Sequence, residues 1–400
     1  MNREDFPLLN LDNEIVYLDN SATSLKPKCV IEAMNKYYRE YSANAHRGDY
    51  DLSFRVDKEY EETRDLVREF INAEFMEEII FTSGATDSLN MIVRGFFENY
   101  LEKGDEVLIT TSEHASNVLP WFRLVEKLGI KVNYIPLDNN YYVTIDNVAK
   151  TLNKNTKVIS LAGITNVIGD KRPIKEIAKL AHQNNIFLVV DGAQMIPHET
   201  VDVQDMDIDF LAFSGHKMCG PTGVGVLYGK KELLEHLEPI NLGGGMNESF
   251  DTPEDVLLKP IPTRLEAGTP NIAGVIGLGA AIKYLNNVGM DKIKIQEHNL
   301  RTYLLDKLLP IKHVDIINIE SDSGIVALNV KNIFSQDVAY YLNKYNICVR
   351  AGNHCAKILK SSVGVTNTVR ISLYFYNTYE EIDNLVELLS DYEKIVKEMI

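Results

Sequence analysis

Three short stretches of this 400-residue chain carry side chains that can do chemistry. IFLVVDGAQ sets Asp191 at the end of five apolar residues. A carboxylate there is costly to bury unless it caps a turn or meets a cation or a strong donor. IDFLAFSGHK brings Ser214, His216 and Lys217 to the end of another apolar run, with Lys217 26 residues after Asp191. A lysine so placed either snorkels to solvent or is held near neutrality for covalent chemistry. FTSGAT puts Gly84, Ala85 and Thr86 where a helical pattern opens. Backbone N–H groups beside a hydroxyl make either a plain helix cap or a phosphate seat. Together these are the parts of a pyridoxal phosphate site: a lysine to attach the cofactor, an anion to keep its ring nitrogen protonated, and donors for its phosphate.

Such groups must be held by the ends of strands, because open α/β sheets bind ligands beyond their strands' carboxyl ends. The pattern supplies those strands. EIIFTSG precedes the amphipathic DSLNMIVRGFFENYL, DEVLITT precedes a helix starting near Asn117, and KVISLAGI precedes PIKEIAKLAHQNN. IFLVVDGA, IDFLAFSG and GVGVLYG follow as fully apolar strands. The alternation over Glu78–Gly229 predicts a mostly parallel sheet covered by helices on both faces. After Gly229 come helical stretches around Asn271–Val288 and Asp291–Leu309, where a domain junction is expected. VDIIN, GIVALNV, a helix at Gln336–Tyr345, NICVRA, TVRISLYF and a charged terminal helix then read as a smaller α+β unit.

Composition removes whole classes of function. Lys and Arg number 41 against 57 Asp and Glu, a formal charge of −16. So acidic a chain is unsuited to nucleic acid and is repelled by an anionic membrane. The longest uncharged apolar stretch, Ile272–Ile282, is too short to cross a bilayer and holds three glycines. MNREDFPLLN has no apolar core of a secretory signal. Cys29, Cys219, Cys348 and Cys355 include no CxxC pair, so neither a disulfide framework nor structural zinc is expected. The reading is a reduced, cytoplasmic protein. Leu242-Gly243-Gly244-Gly245 lacks the strand–glycine–helix context of a nucleotide loop.

The segment DGAQMIPHETVDVQDMDIDFLAFSGHKMCGPTGVGVLYG resembles the lysine region of class V aminotransferase-fold enzymes, and among them the SUF-type (group II) cysteine desulfurases. YLDNSATSLKP, ANAHRGDYDLS, FTSGATDSLN, SEHASNVLPW, RLEAGTPN, RAGNHCAK and VRISLYFYNTYEEID match the same family in order, from about Tyr17 to the last helix. The resemblance implies an α/β, fold-type I transferase. Its large domain would span 25–292 with a mostly parallel mixed sheet. A small α+β domain would span 293–400, with residues 1–24 packed against it. It implies that Lys217 bears the cofactor and carries protons, that Asp191 pairs with the ring nitrogen, and that His114 stacks on the ring. Gln194 and Asn166 would lie near the ring hydroxyl. Ala85, Thr86, Ser214 and His216 would hold the phosphate, with Thr269 reaching it from the other subunit of a homodimer. Arg370 would grip the substrate carboxylate, a task for a planar and permanently charged fork, with Arg350 and His354 beside it.

Cys355 decides which reaction the resemblance implies. A cysteine is usually an inert packing residue, the reading for Cys29, Cys219 and Cys348. Cys355 instead lies on a loop between His354 and Arg350 on one side and Arg370, 15 residues on, on the other. Such a setting favours a thiolate. In the family this position takes the sulfur of L-cysteine as a persulfide, leaving L-alanine, and passes it to an acceptor protein for iron–sulfur cluster assembly or other sulfur trafficking. The rival readings are selenocysteine lyase, another class V reaction, and a sulfur carrier without catalysis. Three positions depart from the family pattern: Asn353 and Ala115 stand where histidines are common, and Ile358 near a usual proline.

Overall fold

A computed structural model describes residues 3–11, 15–45 and 48–399; His46 and Arg47 of ANAHRGDYDLS lie outside the described residues. Its centre is a seven-stranded sheet in the order Ile79–Thr82, Gly225–Gly229, Phe210–Ser214, Phe187–Asp191, Thr156–Ala162, Glu106–Ile109, Lys131–Tyr134. From Phe210–Ser214 to Lys131–Tyr134 all neighbours are parallel, and Gly225–Gly229 alone runs against both of its neighbours. The fold is α/β with a mostly parallel mixed sheet. The central strands are apolar throughout because helices bury both faces, forming one core around Ile159, Leu188 and Phe213 and another around Val158, Val189 and Ala212. Register places Ala162, Asp191 and Ala212 side by side, and Thr82, Gly225 and Ser214 likewise. The chemistry-bearing residues therefore share one rim.

Two features escaped the hydrophobic pattern. Lys131–Tyr134 is an edge strand with mostly exposed residues, charged and polar as edges must be. The stretch after Gly84 is not one regular helix: Ala85–Met91 gives way to a π-helical segment at Ile92–Phe97 before Glu98–Tyr100. Here the Gly95 carbonyl turns to accept from the Glu238 N–H at 3.0 Å, and a Cβ on Gly95 would lie 2.3 Å from the Glu238 oxygen. A neighbour inserted into the hydrogen-bond ladder produces this local widening. At the start of the same stretch Gly84 adopts φ 153°, and a Cβ on Gly225 would meet its Cα at 2.4 Å.

Towards the C-terminus a four-stranded antiparallel sheet runs Val314–Ile316, Ile325–Val330, Thr368–Ser372, Arg350–Gly352. It packs with the helices Met290–Leu308, Ser335–Asn343 and Tyr379–Ser390 around Leu304, Leu328, Leu342, Ile371 and Leu385. NICVRA is not one strand. Ile347–Cys348 pairs with Val16–Tyr17 of the N-terminal segment, and after one residue Arg350–Gly352 joins the four-stranded sheet. Asp19 then bridges to Ser372, so the N-terminal segment passes between the two sheets. The glycine-containing helix Ile272–Val288 is buried against Lys28–Glu40 and Asp51–Phe70. Among the described residues no helix is long and apolar enough to cross a membrane.

Candidate active site

Where the rim of the large sheet faces the smaller one, a cavity of ≈ 190 Å³ opens. It is lined by Ala85, Thr86, His114, Asn166, Asp191, Gln194, Ser214, His216, Lys217, Arg350, His354, Cys355 and Arg370. Every site residue expected from the sequence converges there except Thr269. Thr269 is exposed outside it, its hydroxyl 3.5 Å from the Asn44 amide.

The floor is electrostatically incomplete. Asp191 is buried and accepts a hydrogen bond from the Ala193 N–H at 3.0 Å. Burial pushes its carboxyl above the ordinary range, with Lys217 opposing only as a nearby charge. Lys217 follows Ser214 on a single tight turn, Gly215–Lys217. Burial lowers its ammonium to about 8, although Asp191 pulls the other way. His114 and His216 are each held down to about 4, first by burial and then by Lys217. Both are neutral at pH 7. His114 Nδ1 accepts from the Ser116 N–H at 3.2 Å, which leaves the ring proton on Nε2. At the helix opening, the Ala85 N–H donates to Ser214 Oγ at 2.8 Å, and the Thr86 and Ser116 hydroxyls pair at 2.7 Å.

The opposite wall comes from the smaller sheet. Arg370 is almost wholly buried in Thr368–Ser372. Its Nη2 meets Asp19 Oδ1 at 2.8 Å and its Nη1 donates to the Asn166 carbonyl at 3.0 Å. Asn166 Nδ2 in turn donates to the His354 carbonyl at 2.7 Å. His354 is buried, with Nε2 2.9 Å from Thr368 Oγ1, and burial holds its imidazole down to about 3. It lends Cys355 no positive charge, contrary to the expectation that a flanking histidine would. Cys355 is exposed, and both it and His354 adopt left-handed backbone, φ 60° and 50°. Non-glycine residues in that region cost about 1–3 kcal/mol each, and persist where the surroundings over-determine them. Asn353 Oδ1 accepts the Cys355 N–H at 3.1 Å, and the Cys355 carbonyl accepts the Ala115 N–H at 2.9 Å. Two of the three departures from the family pattern thus make bonds that shape this loop, while Ile358 packs against the core of the large sheet.

Several residues that shape the site lie within matched segments but were assigned no role there. Glu113, beside His114, is fully buried and paired with Arg172. It also accepts from Thr110 Oγ1 at 2.7 Å, Asn117 Nδ2 at 2.9 Å and the Ala162 N–H at 2.8 Å. It thereby ties the His114 loop to the strand beside Asp191. Asp19 and Ser21 of YLDNSATSLKP and Ser116 of SEHASNVLPW were likewise given no role. The place of Glu113 in SEHASNVLPW, shortly after the apolar strand Glu106–Ile109, was the signal that could have found it.

Among the described residues, five buried polar atoms at the cavity have no partner: Ser21 Oγ, Asn166 Oδ1, Gln194 Oε1, His354 Nδ1 and Arg370 Nε. A buried polar atom left alone costs about 1–3 kcal/mol, so such a cluster marks groups that bind a ligand. With a buried carboxylate that has no bonded cation among the described residues, a lysine lowered toward neutrality and neutral histidines, this set of donors and acceptors fits pyridoxal phosphate. Arg370 Nε fits a substrate carboxylate.

Comparison with known proteins agrees. Residues 16–385 match the family model for class V aminotransferases. A probable cysteine desulfurase of Halalkalibacterium halodurans is 44% identical over 96% of this chain and 95% of its own. One from Staphylococcus aureus is 40% identical over 96% and 94%. Among solved structures, the apo cysteine desulfurase of Thermococcus onnurineus superposes with TM-score 0.93 at 39% identity, covering 98% of this chain and 97% of that one. The Escherichia coli cysteine desulfurase CsdA, in an S-sulfonic acid form, gives 0.92 at 35%, covering 100% and 98%. The chain belongs to the class V aminotransferase family, and within it to the pyridoxal phosphate-dependent cysteine desulfurases.

Proposed function

We propose that Lys217, Asp191, Arg370 and Cys355 carry the desulfuration of L-cysteine, and that Cys355 holds the released sulfur as a persulfide. The observation that supports this best is their convergence on one cavity from two sheets. Lys217, Asp191, Gln194, Asn166, His114 and the Thr86/Ser214/His216 cluster would hold the cofactor. When bound, pyridoxal phosphate supplies an electron sink for the substrate's α-carbon. Arg370 seats the substrate carboxylate through Nε. Lys217 Nζ, lowered to about 8, takes and returns the α-proton near neutral pH. The Cys355 thiolate attacks the substrate sulfur. A new S–S bond forms as the C–S bond breaks, and the electron pair stays with the substrate carbon, which is protonated and leaves as alanine. Arg350 and His354 border the same approach.

The exposed, short Cys355 loop is suited to delivery onto an acceptor protein of the SUF type that comes to it. The exposed Thr269, outside its own cavity, is suited to completing a partner subunit's phosphate site in a homodimer. Residues 1–24, 25–292 and 293–400 would act as strap, cofactor domain and substrate domain of a cytoplasmic enzyme. The test is to incubate the cofactor-loaded protein with L-cysteine, with and without an acceptor, and measure alanine and sulfide; L-selenocysteine serves as a parallel substrate. Cys355→Ala is expected to keep the cofactor's absorbance and its response to L-cysteine, yet lose alanine production and the extra sulfur mass on the Cys355 peptide. Wild-type turnover in that variant would refute the assignment.

A further inference from the structure

The turn that presents Lys217 is fastened from outside the sheet by the N-terminal strap. The carbonyl of His216, the residue before Lys217, accepts four donors from two consecutive strap positions, Thr23 and Ser24, and from Lys26 just beyond them. The Ser24 N–H reaches it at 3.0 Å, Thr23 Oγ1 at 2.9 Å, Ser24 Oγ at 3.2 Å and Lys26 Nζ at 2.9 Å. Ser24 Oγ also accepts the Cys219 N–H at 2.7 Å, so the strap grips both sides of Lys217. Lys26 is the charged member of this clamp. Its ammonium also bonds Thr23 Oγ1 at 3.1 Å and the Ser24 carbonyl, and among the described residues it makes no ion pair. A half-buried ammonium with oxygen dipoles in place of a carboxylate is costly; burial lowers Lys26 to about 8. Surface packing does not explain a cation kept there, whereas holding one carbonyl does.

We infer that Lys26 is a positioning residue for the reaction: its ammonium locks the His216 carbonyl and so fixes the direction from which Lys217 meets the substrate. The strap is itself anchored, with the Leu25 N–H on the Tyr376 hydroxyl at 2.9 Å and that hydroxyl on Asn20. A shift of the clamp is therefore felt at Lys217 rather than absorbed by the strap. The inference rests on the reading of Lys217 as the lysine that bears the cofactor. It goes beyond that reading in assigning a role to a residue outside the cavity.

Lys26→Met keeps the aliphatic stem and removes the three donors. In the cofactor-loaded protein it is expected to lower kcat for L-cysteine about tenfold, with KM within about twofold because Arg370 is untouched. The absorbance of the bound cofactor, titrated with pH before substrate is added, is expected to move with it. Thr23→Val and Ser24→Ala, each removing one donor, should give smaller shifts of the same sign. Wild-type kcat and an unmoved absorbance titration in Lys26→Met would overturn the inference, whatever happens to its melting temperature. If Lys26→Met does not fold, the two milder variants decide by the same readouts. Borohydride reduction of the wild-type protein separates this outcome from failure of the underlying reading: cofactor mass on a lysine other than Lys217 removes the Lys217 assignment, while mass on Lys217 with an inert clamp removes only the role of Lys26.

Discussion

The two rims of the large sheet treat charge in opposite ways. At the rim away from the cavity, Asp209 precedes its strand and is buried but saturated. It accepts the Leu188 N–H at 2.8 Å, His182 Nε2 at 2.9 Å and Lys230 Nζ at 2.8 Å. At the cavity rim Asp191 is equally buried and, among the described residues, has one backbone donor and no bonded cation. The histidines follow suit: His182 is pushed up by its bond to Asp209, while burial pushes His114 and His216 down. One rim is a closed electrostatic structure and the other is built to be completed by a ligand. The strands are shared, so the difference lies in which partners the flanking loops deliver.

The largest effect should come from the open rim. Lys217→Ala is expected to cut alanine formation about a thousandfold or more, the scale of losing a proton-transfer group together with the attachment point. Borohydride treatment should then leave no cofactor mass on the protein. Normal turnover in this variant would remove the contrast between the rims at its root. Arg370→Lys comes next. A point charge replaces the fork while Asp19 still competes for it, so KM for L-cysteine should rise about tenfold with a smaller change in kcat, read from initial rates.

A matched pair of substitutions tests the contrast directly. Asp209→Asn leaves His182 and Lys230 without their buried partner and should cost about 2–3 kcal/mol of stability, with kcat preserved in the folded fraction. Asp191→Asn retains an oxygen for the Ala193 N–H and removes an uncompensated buried carboxylate. The cofactor-free protein should then stay within about 1 kcal/mol of wild type in urea, while activity collapses. If both variants lost stability equally, Asp191 would be a structural group like Asp209.

Much of this was legible in the sequence, for reasons visible in particular residues. Buried parallel strands are continuous apolar runs, so the polar residues ending them, Asp191 and Lys217, stand out without any structure. NICVRA read as one strand because apolar pattern cannot show that Val349 separates pairing with Val16–Tyr17 from pairing with Thr368–Ser372. The roles of Asp19 and Lys26, both within YLDNSATSLKP, were illegible because their partners are 351 and 190 residues away, Arg370 Nη2 and a backbone carbonyl. A carbonyl leaves no trace in sequence, and the π-helical widening at Gly95 depends on one as well.

The smallest effect is a difference of sign with pH. His182 has carboxylates on both ring nitrogens, Asp207 at 2.7 Å and Asp209 at 2.9 Å, so its folded-state pKa lies above the ordinary value. Its stabilisation is complete below the unfolded value of about 6.5 and fades as pH rises through the raised folded value. The melting-temperature gap between wild type and His182→Gln should accordingly be wide at pH 6 and narrow at pH 9, and worth about 0.5–1 kcal/mol for a partly exposed pair. His114, held down to about 4, works the other way. Between its unfolded value near 6.5 and about 4, the unfolded chain binds a proton that the folded chain refuses, so stability falls as the solution is acidified. His114→Asn in the cofactor-free protein should flatten that acid limb without altering the alkaline one. If both substitutions changed the same limb, the two rims would share one electrostatic regime, and the closed and open ends of the sheet would not be distinct.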